Sequence, residues 1–420
     1  MEREAIVQVI YDKARQRVPI RVWASDADQG TLDQARNMAN LPFAFHHIAL
    51  MPDAHKGYGM PIGGVLAAKR AIVPYAVGTD IGCGMHARRT NIEAARLLAG
   101  DGLIRQALTA IQRAIPCGVG PAGQHKAAIE QDWTSIPHAE AMRLYGEAVA
   151  YHPRDLEAAY ANSERQIGTL GAGNHFLELQ QDAEGFVWLM LHSGSRGLGA
   201  KVCDHFDRLA QQLNDQWHSV VPKAHQLAFL PMNSTEGQNY LRWMHFCMAW
   251  ARENRQRMLD AGLDALFSIA AGVAPDQAFL VTEAVDTHHN YAVIEHHFGE
   301  NVLVHRKGAV RAREGEMVIV PGSMETASYV GRGKGNRESF NTAQHGAGRR
   351  LSRSAAKRER TPDQCMAALD AKGILLAKAS MSDVAEEAGH AYKDVDQVMA
   401  EAADLVEPLY RLTPLGVLKG

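Results

Sequence analysis

Residues 187–197 read Val-Trp-Leu-Met-Leu-His-Ser-Gly-Ser-Arg-Gly. The continuous apolar run from Val187 to Leu191 predicts a buried β-strand, because a short apolar run bounded by turn residues fits a strand that is covered on both faces. His192 stands at the end of this strand. The glycines from Gly194 to Gly199 predict a turn, and a helix is expected near residues 200–214. A histidine at a strand end beside glycines is well placed to reach a reactive centre.

The same chemistry recurs in other short clusters along about three hundred residues of the chain. One thiol, one carboxylate and several imidazoles each stand next to glycine or at a predicted strand end. This is the pattern of ligands that separate strand ends bring together around a metal ion. The other clusters are Asp80-Ile81-Gly82-Cys83, Asn174-His175, His288-His289-Asn290, Gly322-Ser323-Met324 and His345-Gly346-Ala347-Gly348.

The composition is that of a soluble globular protein with a sizeable core. The chain has 420 residues, of which 46% are hydrophobic and 22% are charged. The formal net charge is only −3, so no overall basic field attracts nucleic acid. A polyanionic partner would therefore have to meet a local basic patch.

Cysteine usage and the N-terminal residues predict a cytoplasmic protein. The five cysteines are scattered without a CxxC pair, so a disulfide framework is not expected and a reducing compartment fits better. The N-terminus carries no apolar signal core, and no apolar window reaches the length of a membrane span. No membrane partner is therefore expected.

The pattern of predicted elements is mixed. Short apolar runs between residues 46 and 90 predict strands and tight turns, whereas residues 91–115 predict a helix and residues 116–165 stay ambiguous. A long helix is expected from Asn233, with Glu236 completing a capping box, and another from Asp394, with Gln397 in the equivalent position. Residues 409–419 are strand-like. We therefore predict an α+β fold, one large domain with mixed sheets around a central metal cleft and with helical decoration.

Five residues form a candidate metal centre. Asp80 and Cys83 lie on one glycine-rich turn, which can aim a carboxylate and a thiolate at one point. With His175, His192 and His289 there are five ligands, and a bridging Cys83 would give each of two ions three protein ligands. Positions then stay open for water or phosphate oxygens, as in a catalytic site. Each residue alone is equally compatible with an ordinary core position. Ligand softness favours zinc.

Several long motifs together resemble those of the RtcB-type RNA ligases. They occur in the right order, and the similarity runs from about residue 15 to Gly420. The resemblance implies a single α/β domain with its own topology, and we take residues 1–420 as that domain. The motifs are Met51-Pro52-Asp53-Ala54-His55, residues 77–85, residues 171–176, residues 191–197, residues 305–309, Pro321-Gly322-Ser323-Met324 and residues 345–349.

The resemblance implies an activity and its cofactors. RNA ends with a 3′-phosphate or a 2′,3′-cyclic phosphate would be joined to 5′-hydroxyl ends, with GTP as co-substrate and two Mn(II) ions in the active site. The family's metal ligands correspond to Asp80, Cys83, His175, His192 and His289. Its guanylated histidine corresponds to His345, which a reading without the resemblance would take as a turn histidine.

The resemblance also implies nucleotide and RNA contacts. Glu178 would accept the N1–H and 2-amino hydrogens of guanine, although alone it reads as a solvated strand residue. Lys419, which alone reads as part of a frayed terminus, would meet the acceptor edge of the purine. The remaining GTP contacts would be Tyr392, Ser328, Asn174 and Ser323. RNA phosphates would bind Arg196, Lys307, Arg349 and Arg353, each of which is equally compatible with an ordinary surface charge.

One position departs from the family pattern. Glu325 stands where the family usually has glycine, and a carboxylate beside a triphosphate is repulsive unless it turns outward. This departure motivates an alternative, an enzyme that opens cyclic phosphates or caps RNA ends with GMP without efficient sealing. Two further alternatives are a catalytically silent RNA-end binder and a metal phosphoesterase that needs no GTP. The sequence leaves the physiological RNA and the need for an archease-like activator open, and a monomer is expected.

Overall fold

A computed structural model describes residues 7–100, 102–118, 120–126, 138–378, 381 and 383–420. The β-strands are, in chain order, β1 (Gln8–Ile10), β2 (Ile20–Val22), β3 (Ala44–His55), β4 (Ile62–Ala68), β5 (Ala71–Ile72), β6 (Gly84–Glu93), β7 (Phe176–Gln181), β8 (Phe186–Ser193), β9 (Leu230–Pro231), β10 (Val281–His288), β11 (Asn290–His297), β12 (Glu300–Lys307), β13 (Ala309–Arg311), β14 (Met317–Val320), β15 (Ser328–Gly333), β16 (Thr342–Gln344), β17 (Leu375–Lys378) and β18 (Val406–Lys419).

The α-helices are α1 (Gln29–Ala39), α2 (Pro74–Val77), α3 (Ala94–Ala99), α4 (Leu103–Ala114), α5 (His138–Val149), α6 (Arg154–Ser163), α7 (Arg196–Gln216), α8 (Thr235–Val273), α9 (Arg353–Glu359), α10 (Pro362–Asp370) and α11 (Val395–Glu401). Short 3₁₀ helices cover Gly120–Gly123, Lys223–His225, Arg337–Ser339, Val384–Glu386 and Gly389–Ala391. Within the described ranges, no helix combines the length and the apolarity needed to cross a bilayer.

Two large sheets organise the molecule. The larger has eight strands in the order β10-β6-β8-β7-β18-β15-β14, with β17 beside β18. The second has six strands in the order β1-β2-β3-β4-β12-β11. Short pairs are formed by β13 with β16 and by β5 with β9. The expected α+β fold class is confirmed, whereas the assignment of residues 1–420 to one domain stays a prediction.

Strand β8 lies inside the larger sheet, as its apolar run predicts. Its neighbours are β6 and β7, and its two faces contribute to different hydrophobic clusters. Val187, Leu189 and Leu191 pack in a cluster with apolar residues of α8. Trp188 and Met190 belong to a second cluster on the other face. The run is therefore continuous rather than alternating because both of its faces are covered.

The helix after β8 begins earlier than expected, at Arg196 rather than near residue 200. The glycines of this segment allow close packing instead of forming an extended turn. A Cβ at Gly194 would lie 2.3 Å from Oδ2 of Asp80, and a Cβ at Gly199 would lie 1.9 Å from the Ser195 hydroxyl. Glycine 194 is therefore what lets the Asp80 carboxylate lie against this backbone.

The other element predictions are partly wrong at their boundaries. The helix predicted over 91–115 begins only at Ala94, because β6 continues to Glu93, and α3 is separate from α4. Gly102, with φ +74°, precedes α4 in a left-handed conformation that ends helical continuity. Ser234, not Asn233, caps α8 by accepting a hydrogen bond from the Gly237 amide. The Asp394 cap of α11 and the C-terminal strand are confirmed.

The ends of many strands meet at one cavity. Neighbouring strands from β10 to β18 in the larger sheet are antiparallel, so the ends of β10, β8 and β18 share an edge with the starts of β6 and β7. In the second sheet the ends of β3 and β12 share an edge with the starts of β4 and β11 in the same way. The chain passes from one sheet edge to the other at His289, between β10 and β11. Widely separated residues are thereby gathered at one place.

Candidate active site

A cavity of about 890 Å³ lies between the two sheet edges. Most of the residues predicted from the sequence line its wall, and they come from both sheets. Three others lie behind the wall, namely His175, Arg196 and Ser328. Those on the wall are Asp80, Cys83, Asn174, Glu178, His192, His289, Lys307, Ser323, His345, Arg349, Arg353, Tyr392 and Lys419.

The five candidate metal ligands form one contiguous group. The Cys83 Sγ lies 3.3 Å from Nε2 of His192 and 3.6 Å from Nε2 of His175. Nε2 of His192 is 3.3 Å from Nε2 of His289, and Nε2 of His175 is 3.0 Å from Oδ2 of Asp80. The thiol therefore stands in the middle, with one carboxylate–imidazole pair and one imidazole–imidazole pair on its two sides.

Backbone carbonyls orient two of the imidazoles toward the thiol. Nδ1 of His175 lies 3.0 Å from the Leu170 carbonyl oxygen, and Nδ1 of His192 lies 3.1 Å from the Asn174 carbonyl oxygen. Because a carbonyl only accepts, Nδ1 of His192 donates its hydrogen and its Nε2 keeps a lone pair directed at Cys83. Nδ1 of His175 lies between the Leu170 carbonyl oxygen and the Arg196 guanidinium, and its Nε2 faces the Asp80 carboxylate. Metal-binding histidines are commonly held this way, so the donor set fits a metal ion.

Burial favours the uncharged forms of Cys83, His192 and His289. It lowers the pKa of His192 and of His289 well below the usual value and raises the pKa of the Cys83 thiol. Burial alone would also raise the pKa of Asp80, but the hydrogen bond and charge of His175 hold it at about 2. The Ser195 amide donates to Oδ1 of Asp80 at 3.0 Å. Neutral imidazoles are ready to bind a cation, and a bound cation would favour loss of the thiol proton.

His345 stands next to this group, with its ring centroid 4.8 Å from that of His289. The fully buried carboxylate of Asp53 accepts two hydrogen bonds from His345, one from Nδ1 at 2.6 Å and one from the backbone amide at 3.1 Å. Nδ1 is therefore the protonated nitrogen, and Nε2 keeps its lone pair. Sequence reasoning quoted Asp53 within a motif but gave it no role. The sequence feature that could have pointed to Asp53 is the carboxylate within the motif Met51-Pro52-Asp53-Ala54-His55.

A second group of polar residues lies at the end of β18. Nζ of Lys419 donates to the Gly173 carbonyl oxygen at 3.2 Å and lies 3.6 Å from Oε2 of Glu387. Glu178 is buried nearby and accepts a hydrogen bond from Nε2 of Gln180 at 2.6 Å. Burial raises the pKa of Glu178 to about 8, although Lys419 and Gln180 oppose the shift. Gln180 also donates to the Ser328 hydroxyl at 3.1 Å, which places Ser328 behind Glu178.

Glu387 connects the cationic side chains of this wall, and sequence reasoning missed it because no motif surrounds it. Its carboxylate lies 3.3 Å from Nη1 of Arg349 and 3.6 Å from Nε of Arg353, and it accepts a short hydrogen bond from the Tyr392 hydroxyl. The Arg349 guanidinium also lies 5.2 Å from the centroid of the Tyr392 ring. Arg353 keeps 55% of its side chain exposed and faces the open part of the cavity.

Glu325 turns away from the cavity. Its Oε1 accepts a hydrogen bond from the Gly389 amide at 2.7 Å, and its side chain is buried against that segment. Nζ of Lys372 donates to its backbone carbonyl oxygen at 2.8 Å. The Ser323 hydroxyl of the same loop stays on the cavity wall. The carboxylate therefore does not face the space beside Ser323.

Arg196 and Lys307 are more enclosed than surface phosphate ligands. Nη1 of Arg196 lies 3.3 Å from Nδ1 of His175, behind the candidate metal centre. Nζ of Lys307 donates to two backbone carbonyl oxygens, those of Tyr58 at 2.6 Å and Tyr75 at 3.0 Å. Burial lowers the pKa of Lys307 to about 8. Both cations therefore already have partners within the protein.

A family model described as "tRNA-splicing ligase RtcB" matches residues 34–420, so the class of protein defined by this fold and site is a ligase. The chain belongs to the RtcB family.

Three relatives illustrate the similarity, and each alignment covers more than nine tenths of both sequences. The RNA-splicing ligase RtcB of Escherichia coli strain K12 is 38% identical over 96% of this chain and 98% of its own length. The RNA-splicing ligase RtcB of Mycobacterium tuberculosis is 36% identical over 92% of this chain and 100% of its own. The tRNA-splicing ligase RtcB of Thermococcus kodakarensis is 34% identical over 98% of this chain and 96% of its own.

Proposed function

We propose that this protein is a GTP-dependent RNA ligase that joins RNA 3′-phosphate or 2′,3′-cyclic phosphate ends to 5′-hydroxyl ends. The observation that carries the proposal is one cavity that holds both His345 and the Cys83-centred group. His345 is fixed by Asp53 so that one ring nitrogen is free to attack. Family membership supports the reaction class, and the relatives' names supply RNA as the substrate.

In the first step His345 is the nucleophile. The lone pair of Nε2 forms a bond to the α-phosphorus of GTP, and the bond from that phosphorus to the bridging oxygen of the β-phosphate breaks, releasing pyrophosphate. The hydrogen on Nδ1 stays in its hydrogen bond to Asp53, whose negative charge offsets the positive charge that the ring gains. The product is a phosphoramidate between the imidazole and GMP.

Two further transfers complete the reaction. An oxygen of the RNA 3′-phosphate attacks the α-phosphorus, the phosphorus–nitrogen bond breaks, and Nε2 recovers its electron pair. The RNA 5′-hydroxyl oxygen then attacks the RNA 3′-phosphorus, loses its proton to solvent and displaces GMP. A 2′,3′-cyclic phosphate must first be hydrolysed to the 3′-phosphate. Arg349 and Arg353 are proposed to bind RNA phosphates, because both lie on the cavity wall.

Asp80, Cys83, His175, His192 and His289 are proposed to hold two Mn(II) ions, with Cys83 between them. Bound cations would offset the negative charge of phosphate oxygens during each transfer. The thiol and imidazole donors by themselves favour zinc, and Mn(II) is proposed from the family resemblance. Activity assays with Mn(II) alone and with zinc alone would show which of the two metals the site uses.

GTP is proposed to bind along the wall that ends at Lys419. Glu178 would accept the adjacent N1–H and 2-amino hydrogens of guanine, and Lys419 would donate to its acceptor edge. Tyr392 and Ser328 are proposed as further base contacts, the latter acting through Gln180. Asn174 and Ser323 are proposed to lie beside the phosphates. The ionised form of Glu178 would reject adenine, because N1 of adenine is an acceptor and a carboxylate only accepts.

The central test is self-guanylation. The protein is incubated with Mn(II) and GTP labelled at the α-phosphate, and acid-labile label on the protein is measured. We expect His345→Ala to abolish the label, because Nε2 of His345 is the proposed nucleophile beside the candidate metal centre. His296→Ala is the matched control, since His296 is exposed and lies outside the cavity. Label that survives in His345→Ala would remove His345 from this role.

The end-processing alternative was motivated by Glu325, whose carboxylate faces the Gly389 segment instead of the cavity. A gel assay distinguishes it from ligation, because it predicts guanylated or hydrolysed RNA ends and no joined product. A silent RNA-end binder would bind ends without labelled protein, and a metal phosphoesterase would act without GTP. We further propose a cytoplasmic, monomeric enzyme, and addition of an archease-like protein tests whether an activator is needed.

A further inference from the structure

We propose that Lys56 and Tyr58 form a subsite that binds one nucleotide of the RNA at the mouth of the cavity, with the base stacked on Tyr58 and a phosphate on Lys56. The inference rests on the proposed ligase function. It adds a substrate-binding element that phosphate contacts alone do not provide.

The Tyr58 side chain is presented to solvent at the cavity wall. Tyr58 lines the cavity and is 71% exposed. The next most exposed aromatic residues of the described ranges are Tyr11 at 49% and Trp217 at 46%. The Tyr58 ring contacts no other aromatic ring or cation there, and its hydroxyl has no hydrogen-bond partner among those residues. An exposed aromatic ring without a partner at the wall of the cavity is available for a nucleotide base to stack on.

The loop that carries Tyr58 is held at several points. Gln34 forms two hydrogen bonds with the Gly57 backbone, donating to its oxygen at 2.6 Å and accepting from its amide at 3.0 Å. Lys307 donates to the Tyr58 carbonyl oxygen at 2.6 Å, and the Gly59 amide donates to Gln226 at 3.3 Å. The exposed ring is therefore displayed by a fixed backbone, which lowers the entropy lost when a base stacks on it.

Lys56 supplies an unpaired positive charge two residues away. Its side chain is exposed and lines the same wall. Among the described residues its ammonium group has no ion pair or hydrogen bond. Asp28 is the acidic residue of this part of the wall, and its carboxylate caps α1 by accepting from the Thr31 amide at 2.7 Å. Lys56 is therefore free to attract a phosphate.

The position of this pair points to the RNA strand rather than to GTP. Both residues follow β3, which also contains Asp53, the partner of His345. Five residues of chain reach at most ~17 Å, so the backbone of Tyr58 lies no farther than that from the backbone of Asp53. Glu178 and Lys419, which are proposed to read the edge of guanine, belong to β7 and β18 of the other sheet. An aromatic ring beside a free cation is the combination that binds single-stranded nucleic acid with little sequence preference.

The test measures the binding of two short RNA oligonucleotides to the full-length protein by fluorescence anisotropy. One carries a 5′-hydroxyl end and a distal label, and the other a 3′-phosphate end and a distal label. We expect Tyr58→Ala to weaken binding of at least one strand about tenfold and Tyr58→Trp to preserve it. Lys56→Ala is expected to reduce the salt dependence of the same strand by about one released ion. The strand affected identifies which RNA end occupies the subsite.

Tyr11→Ala and Lys13→Ala are the matched controls, because Tyr11 and Lys13 are also exposed, two residues apart and outside the cavity. Self-guanylation without RNA is measured in parallel. Unchanged affinity for both strands in Tyr58→Ala and Lys56→Ala would overturn the subsite while leaving the ligase function intact. Absence of guanylation in the unsubstituted protein would instead contradict the proposed function.

Discussion

At the scale of single residues, the site depends on which nitrogen of each imidazole is protonated. A carbonyl oxygen accepts from Nδ1 of His192, and a carboxylate accepts from Nδ1 of His345. A carbonyl leaves its imidazole neutral and ready for a cation. A carboxylate favours the positive ring that forms when Nε2 becomes bonded to phosphorus. The group that accepts from Nδ1 therefore decides whether a histidine is suited to bind a cation or to act as a nucleophile.

We expect Asp53→Asn to slow self-guanylation by roughly 10²–10⁴-fold, because an amide can hold the ring in the wrong tautomer and cannot offset its charge. The measurement is the initial rate of labelling from GTP. The melting temperature is recorded for the same samples, so that a folding defect is separated from a defect in orientation. A rate within twofold of the unsubstituted protein would contradict the role given to Asp53.

GTP affinity should rise with pH because of Glu178. Because its pKa is about 8, the Glu178 carboxyl group is mostly protonated at neutral pH when no nucleotide is bound. Guanine, in contrast, needs the ionised carboxylate. Binding therefore releases a proton, and affinity should increase about tenfold per pH unit between pH 6 and pH 8 and then level off. Calorimetry across this range measures the dependence. Glu178→Gln is expected to bind weakly with a flat profile, and an equally flat profile in the unsubstituted protein would refute the assignment.

The same shift affects stability. The pKa of Glu178 is raised in the folded state from 4.5 to about 8, so the folded protein holds this proton more tightly than the unfolded chain. The stability that this provides is complete below pH 4.5 and is lost as pH rises to about 8. Glu178→Gln should therefore lose less free energy of unfolding between pH 5 and pH 8, as urea titrations would measure.

At the scale of elements, the loop from Gly322 to Ser328 is tied to the segment that carries Tyr392. The tie is the hydrogen bond from the Gly389 amide to Glu325. A carboxylate at this position is therefore compatible with nucleotide binding, because it joins two walls of the cavity instead of entering it. Glu325 therefore has a structural role in this chain.

Glu325→Ala should weaken GTP binding and lower stability by about 1–3 kcal/mol, because the Gly389 amide would lose its buried acceptor. Glu325→Gln keeps an oxygen acceptor and should recover most of both losses. Glu314→Ala is the control, since Glu314 is exposed and lies outside the cavity. The measurements are a GTP titration and urea unfolding. Unchanged GTP affinity in Glu325→Ala would show that the hydrogen bond between the Gly389 amide and Glu325 does not affect nucleotide binding.

Sequence analysis correctly predicted elements that depend on residues close together in the chain. The apolar run of β8 and the Asp394 cap of α11 depend on neighbouring residues, and both were predicted. The pairing of Asp53 with His345 joins residues 292 positions apart, so no spacing rule reveals it. The cations that Glu387 contacts, among them Arg349 and Arg353, come from another segment of the chain. The start of α7 was misplaced because glycines that permit close packing look the same in sequence as glycines that form a turn.

At the scale of the whole molecule, the candidate metal centre joins the ends of several strands in the larger sheet. Cys83 precedes β6, His175 precedes β7, His192 lies in β8 and His289 follows β10. A cation held by these side chains would fasten neighbouring strands at the same edge. Binding of the ion should therefore stabilise the fold as well as support the reaction.

We expect Mn(II) at a hundredfold excess over its dissociation constant to raise the free energy of unfolding by about 2.7 kcal/mol. At a fixed Mn(II) concentration the increment should grow with pH, because burial raises the pKa of the Cys83 thiol, which must lose its proton to bind the ion. Thermal unfolding with and without a chelator measures it. Cys83→Ser should lose the increment, whereas Cys365→Ser, which is buried away from the cavity, should keep it. A metal effect that persists in Cys83→Ser would contradict this site.

The placement of the central sulfur also has a consequence for chemical damage. All five cysteines are buried, and Cys83 is the one that lines the cavity. Without a cation its raised pKa keeps it as a thiol, which reacts slowly with alkylating agents and peroxide. With a cation its electron pairs are engaged. The Cys83 thiolate is free to react only while one metal ion leaves and another binds. Oxidants should therefore inactivate the protein fastest under conditions in which bound metal exchanges rapidly with metal in solution.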